Sequence, residues 1–189
     1  MRDMDVRTAL HAKLEVEHAH ERASTLLLDE LGLCGAVRVD VAVVNGALSG
    51  FELKSAADTL KRLPVQVDYY SRVLDYSTLV VAENHVDAAL RMTPRWWGCS
   101  VATWDGHSVT LRERRRPKLN PSIDPYSLAQ LLWREESLQV LERHDAARGV
   151  RGKPRTALWE RLAESLSLEV LRAEVRQGLK ARKSWRSAG

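Results

Sequence analysis

The stretch RVDVAVVNGALSGFELKS, running from Arg38 to Ser55, constrains the fold more than any other part of the chain. Two apolar segments flank Asn45-Gly46, a residue pair that favours a tight β-hairpin. Side chains alternate between the faces of a strand, so Glu52 and Lys54 point one way while Phe51 and Leu53 point the other. By the same rule Arg38 and Asp40 share a face, with Val39, Val41 and Val43 opposite. Whether Asp40 meets Glu52 is decided by the turn. A two-residue loop, Asn45-Gly46, pairs 44 with 47 and therefore Asp40 with Phe51, which turns Asp40 to the wrong face. A three-residue loop, Asn45-Gly46-Ala47, or a single bulge pairs 44 with 48 and Asp40 with Glu52, about 5 Å apart on one face. Both registers are open to the sequence.

Two carboxylates opposite each other in a sheet repel, unless a hard cation lies between them. Mg²⁺ is held in this way by one or two carboxylates together with other oxygen ligands. A lysine beside such a pair can stabilise negative charge developing on a phosphate or assist an attacking water. Asp40, Glu52 and Lys54 therefore form a coherent set for metal-assisted phosphodiester hydrolysis. The plainer alternative is an edge hairpin with a solvated charged face and a Glu–Lys pair.

The surrounding pattern is α/β. Asp5 to about His18 reads as a helix, with Val6, Leu10 and Leu14 on one stripe and Asp5 as its cap. Ser24 to Leu28 is either strand or helix. After the hairpin, Pro64 suits the first turn of a helix whose apolar stripe is Val65, Tyr69 and Val73. Ser77–Ala82 reads as a buried strand, and Asn84 can cap a helix through Met92. Gly98–Trp104 and His107–Leu111 flank Asp105-Gly106, a second hairpin signal. The order predicts a mixed sheet with at least one antiparallel pair and one helical crossover. From Arg114 to Pro125 prolines and basic residues alternate, as in a linker. Helical patterns follow over about 126–144, 154–166 and 168–182, the last capped by Ser167.

Asp40 followed by Glu52-Leu53-Lys54 resembles the signature of the PD-(D/E)XK nuclease superfamily, and Gln66 with Tyr70 is similar to the Gln-x-x-x-Tyr element of its RecB-type members. The set DELGL, RVDVAVV, GFELKSAADTLKRLPVQVDYY and WWG resembles small bacterial PD-(D/E)XK proteins linked to DNA repair. The likeness covers about residues 5–112 and implies a restriction-endonuclease-like mixed sheet flanked by helices. It implies Asp40 and Glu52 as ligands of Mg²⁺ or Mn²⁺, with the Leu53 carbonyl as a further ligand and Lys54 as the catalytic lysine. Glu30 would be the acidic residue contributed from before the hairpin, ahead of Glu17 and Glu21. Gln66 and Tyr70 would face the site from one helix, one turn apart. Val39 stands where the superfamily's proline often precedes the aspartate.

Charge is unevenly distributed. Residues 1–110 hold 11 Lys/Arg against 15 Asp/Glu, whereas residues 111–189 hold 18 against 10, within a net charge of +4 for 189 residues. A basic C-terminal part suits a polyanion. The segment LERHDAARGVRGKPRTALWERLAESL is similar to a SAP-type helix–loop–helix, with Arg148, Arg151, Lys153 and Arg155 placed for DNA phosphates and Leu158, Trp159 and Leu162 turned inward. The alternative is a helical cap whose basic loop is merely solvated. The sequence thus divides into a nuclease-like domain at 1–113, a linker at 114–125 and a helical, DNA-binding region at 126–189.

Other chemistries find little support. Cys34 and Cys99 make neither a disulfide framework nor a zinc knuckle, and the six histidines fall at no usable metal spacing. Serine-hydrolase, P-loop and dinucleotide motifs are absent. Trp96-Trp97 could stack on bases, but a tryptophan covering the core is the more ordinary use. No apolar run has the length of a membrane span, and the N-terminus lacks a secretory pattern, so a cytoplasmic protein without membrane contact is expected. DNA is the expected partner, with room left for a homodimer or a partner protein.

Overall fold

The computed structural model describes residues 2–182. Six strands form one sheet in chain order: β1 (Leu26–Leu33), β2 (Val37–Val44), β3 (Leu48–Lys54), β4 (Tyr76–Ala82), β5 (Gly98–Trp104) and β6 (Val109–Arg115). The pairs β1–β2, β2–β3 and β5–β6 are antiparallel, whereas β3–β4 and β4–β5 are parallel. The parallel pairs need crossovers. Helices α2 (Leu63–Val73) and α3 (Val86–Met92) provide them. The expected mixed α/β sheet is therefore present, and the undecided run near Leu26–Leu28 is its first edge strand.

Two cores lie on opposite faces of the sheet. Helix α1 (Asp3–Glu17) covers one, burying Val6, Leu10 and Leu14 against Val41, Val43, Leu53 and Val80. The larger core on the other face takes in α2, α3 and the C-terminal helices α4 (Pro125–Ala129), α5 (Arg134–Arg143), α6 (Arg155–Ser165) and α7 (Leu168–Ala181). Leu33, Val37, Tyr70, Leu128, Leu141, Leu158 and Leu171 all belong to that one cluster. The basic segment after β6 is pinned to the body. Asn120 donates from its amide to the Ser71 and Leu74 carbonyls, and Asp124 N–H bonds Arg72 O. Residues 126–182 thus share a core with the sheet, and the linker reading of 114–125 has no matching break in packing.

Several local expectations are corrected. The helix expected over 126–144 is two, because the chain turns at residues 130–133 and restarts with Glu136 accepting from Trp133 N–H. The second hairpin uses a four-residue loop, Trp104 pairing with Val109, because Asp105 Oδ1 accepts from both His107 and Ser108 N–H. On α2 the buried side chains are Leu63, Gln66, Tyr70 and Val73, while Val65 is exposed. Trp97 is fully buried, so WWG serves the core.

The largest departure concerns β1 and β2. Strict alternation would leave Val39 with Val41 and Val43, yet Val37 and Val39 lie in the large core and Val41 and Val43 under α1. On β1, Leu28, Leu31 and Leu33 share the large core in spite of their mixed parity. Both strands therefore turn over at one point. Glu30 stands there with φ 56°, a left-handed conformation costing about 1–2 kcal/mol for a residue with a Cβ. Backbone pairing passes from Asp29↔Val41 to Leu31↔Val39, skipping Glu30 and Asp40.

Helix α7 is held to the sheet through Asp75. This buried carboxylate accepts from Leu48 N–H at 2.7 Å and pairs with Arg172 at 2.9 Å and Arg176 at 3.8 Å. Asp75→Ala is expected to lower stability by about 3 kcal/mol in urea unfolding, because it strands a buried donor and two half-covered cations. Asp75→Asn, which keeps an acceptor for Leu48, is expected to lose less.

Candidate active site

The hairpin turn comes first, since it sets the register. Asn45 Oδ1 accepts from Ala47 N–H at 3.1 Å, and Asn45 N–H bonds Ala47 O at 3.0 Å, so the loop closes over three residues. Gly46 does not take the positive φ that a two-residue type I′ turn requires. Val44 therefore pairs with Leu48 and Val41 with Phe51, the register that carries Asp40 toward Glu52.

Glu52 is 1% exposed, so its carboxylate depends on protein donors. Lys54 Nζ and Gln66 Nε2 both lie 2.5 Å from Oε1, and the Tyr70 hydroxyl donates to Oε2. Tyr70 also lies 2.9 Å from Arg38 O, but its single proton is better used on the carboxylate. Burial, and then the Glu52 charge, push the Tyr70 hydroxyl pKa strongly up, which keeps it a donor. Behind it Trp97 stacks on the Tyr70 ring, with centroids 5.5 Å apart, and holds its angle. The two α2 residues thus reach the site because they occupy that helix's buried face.

Asp40 sits where β2 turns over, just beyond the last β2–β3 pair. Its Oδ2 accepts from Leu53 N–H at 2.7 Å, taking the place of a ladder bond. Burial and then the nearby Glu52 raise its pKa to about 7, against the lowering pull of Leu53 N–H, Lys54 and Arg7. Asp40 and Glu52 line a polar cleft of about 280 Å³ together with Leu53, Lys54 and Gln66. Glu30 lies at the rim, paired with Arg7 at 3.0 Å and Arg38 at 3.3 Å, rather than against Glu52. Asp40, Glu52, Leu53, Lys54, Gln66, Tyr70 and Glu30 are therefore gathered at one place. Glu17 and Glu21 are not among the residues lining this cleft.

Hard oxygen donors suit Mg²⁺ or Mn²⁺. Glu52 Oε1 already accepts two hydrogen bonds, whereas Oε2 accepts one and retains a lone pair. Asp40 Oδ1 lies 3.6 Å from Arg7. Gln66 Oε1, also lining the cleft, is buried without a hydrogen-bond partner among the described residues. Acceptor capacity is thus left over at Asp40, Glu52 and Gln66, the residues that would hold such a cation. Among the described residues no three His, Cys, Asp or Glu side chains are arranged as a metal site.

The basic loop lies elsewhere. Arg148, Arg151, Lys153 and Arg155 occupy the connection from α5 into α6, and none lines the cleft. Arg151 pairs with Glu142 at 3.0 Å, and Arg155 lies over the Trp159 ring at 5.2 Å. Arg155 also borders a hollow closed by Cys34 and Gly35 at the β1–β2 turn. Leu158, Trp159 and Leu162 are buried, as their pattern predicts.

The model of the family described as "Bacteriophage P4 protein cII" matches residues 1–188. The chain belongs to that family. No curated protein matches it. Among solved structures it is similar to SPO1766, a protein of unknown function from Silicibacter pomeroyi, at 16% identity, covering 82% of this chain and 96% of that one, with a TM-score of 0.45.

Four contributors to the site escape a sequence reading. Asp3 and Arg7 on α1, Asp58 and Arg62 all line the cleft. Asp58 caps the end of β3, accepting from Ser55 N–H and Oγ. The only local signs are the Asp3/Arg7 spacing of one helical turn and the Ser55-x-x-Asp58 turn pattern.

The raised Asp40 pKa has a pH signature. Between about pH 4 and 7 the folded chain keeps a proton that the unfolded chain releases, so this group's stabilising contribution is present below that window and lost as pH rises through 7. The stability of the wild type relative to Asp40→Asn is therefore expected to fall from pH 5 to about pH 7 and to level off above it in urea unfolding. A flat difference would contradict the assignment.

Proposed function

We propose that this chain is a divalent-metal-dependent DNA nuclease of the PD-(D/E)XK type, hydrolysing phosphodiester bonds in DNA repair, end processing or defence against foreign DNA. The observation that supports it best is the meeting of Asp40, Glu52, Lys54, Gln66 and Tyr70 at one polar cleft, in the register set by the three-residue turn. Asp40, Glu52 and the Leu53 carbonyl would hold Mg²⁺ or Mn²⁺, which when bound supplies a Lewis acid and a nucleophile at neutral pH.

The chain's own residues do the rest. Gln66 and Tyr70 fix the Glu52 carboxylate from α2, so the ligand does not reorganise during reaction. Lys54, held by Glu52, places a positive charge where a phosphate gains negative charge. Arg38, 70% exposed, and Arg62 stand at the mouth and suit neighbouring phosphates. The 148–155 loop adds backbone affinity away from the cleft.

A second reading is a DNA-binding module of the same fold that does not cut. It is favoured by the extent to which protein cations already satisfy the carboxylates, Lys54 on Glu52 and Arg7 on Asp40 and Glu30.

Cleavage of single-stranded, duplex and branched DNA with Mg²⁺, Mn²⁺ or EDTA separates the two. Metal-dependent cutting, reduced at least about a hundredfold in Asp40→Ala and Lys54→Ala, is expected for the nuclease. Binding without cutting on every substrate selects the module. On either reading, neutralising Arg148, Arg151, Lys153 and Arg155 together should weaken duplex binding and reduce the log–log salt slope by up to about 3–4.

A further inference from the structure

Arg7 is the most heavily coordinated side chain at the cleft. Its Nη1 donates to the Asp40 carbonyl at 2.6 Å and to Asp29 Oδ1 at 3.2 Å. Its Nη2 reaches Glu30 at 3.0 Å, Asp40 Oδ1 at 3.6 Å and Asp3 at 3.7 Å. One guanidinium therefore gathers carboxylates from α1, β1 and β2, at the point where β1 and β2 turn over. Burial works against its charge, but Asp40, Asp3 and Asp29 outweigh that and raise its pKa. Docking of α1 also rests on Val6, Leu10 and Leu14, which are buried in the core beneath the helix.

The carboxylate oxygen that Arg7 faces, Asp40 Oδ1, is the one left open by the Leu53 hydrogen bond. The cleft is lined by five carboxylates and four Lys or Arg side chains, so removing one guanidinium takes its formal charge from −1 to −2. We propose that Arg7 is a built-in counter-cation that competes with the divalent metal for Asp40 and so sets the metal affinity of the cleft. This rests on the metal-centre reading above. Arg7 is a positioning residue here: it holds Asp40 and the strand crossing in place without metal, and it moves off Asp40 Oδ1 when metal binds. The guanidinium then remains beside the cleft, on Glu30 and Asp29.

The test is Mn²⁺ binding to the full chain at low ionic strength, by calorimetry and by loss of the free-ion paramagnetic resonance signal, without DNA or turnover. Arg7→Gln is expected to bind Mn²⁺ about tenfold or more tightly than wild type, because a unit charge next to the ligands has been removed. Arg7→Lys, which keeps the charge, should stay near wild type. Wild-type binding with Arg7→Gln equal or weaker would overturn the competition and leave the metal centre standing. No binding in wild type or Arg7→Gln would remove both. If Arg7→Gln does not fold alone, Mn²⁺ should restore its folding while NaCl of equal ionic strength does not. Failure of that rescue would also overturn the proposal.

Discussion

A carboxylate taken out of water is stable only when donors replace its hydration, and Glu52 is such a carboxylate. Its donors come from two levels of structure. Lys54 is supplied by strand parity, two residues on. Gln66 and Tyr70 are supplied by the face on which α2 packs. The Tyr70 ring is in turn braced by Trp97, which is buried at the start of β5. A rotation of α2 about its axis would strand the charge, so the same contacts that satisfy Glu52 also lock the helix onto the sheet. This is why a polar pair can occupy the buried stripe of a helix between Leu63 and Val73.

The second constraint is the point at which β1 and β2 turn over. An uninterrupted hairpin would keep every β2 valine of one parity on one face. Instead Glu30 adopts a left-handed conformation, the ladder skips the Glu30–Asp40 position, and the valines divide between two cores. Asp40 is released from pairing at that position and turns its carboxylate to Leu53 N–H across the gap. The strain is local, whereas the packing gained on both faces is spread over many residues. Carboxylates thus accumulate where the sheet changes face, and Arg7 from the opposite layer answers them.

The C-terminal helices belong to the same physical unit as the sheet. Asp75 ties α7 to β3, Asn120 closes the connection over the end of α2, and the helices share the large core with Leu33 and Val37. Their basic loop is carried at a defined distance from the cleft, by packing rather than by a flexible tether.

Much of this was legible in the residues. Period-two apolar runs gave the strands, Val6, Leu10 and Leu14 gave the inner face of α1, and Asp40, Glu52, Lys54, Gln66 and Tyr70 could be named as one candidate set. The strands, the helix face and the Glu52–Lys54 pair depend on neighbours in the chain, whose spacing is printed in the sequence; the joining of Gln66 and Tyr70 to them rested on the family resemblance. The turn register was left open, because Asn45-Gly46 suits two loops and only the Asn45–Ala47 contacts choose between them. The division of Val39 from Val41, and the arrival of Arg7 at Asp40, were beyond reach. Both come from long-range packing of a helix and two strands, in which buried area and charge pairing outweigh local alternation. The sequence by itself determined which residues make up the candidate set; tertiary structure decided which face they share and which cation meets them, because burial and charge compensation are properties of the assembled layers.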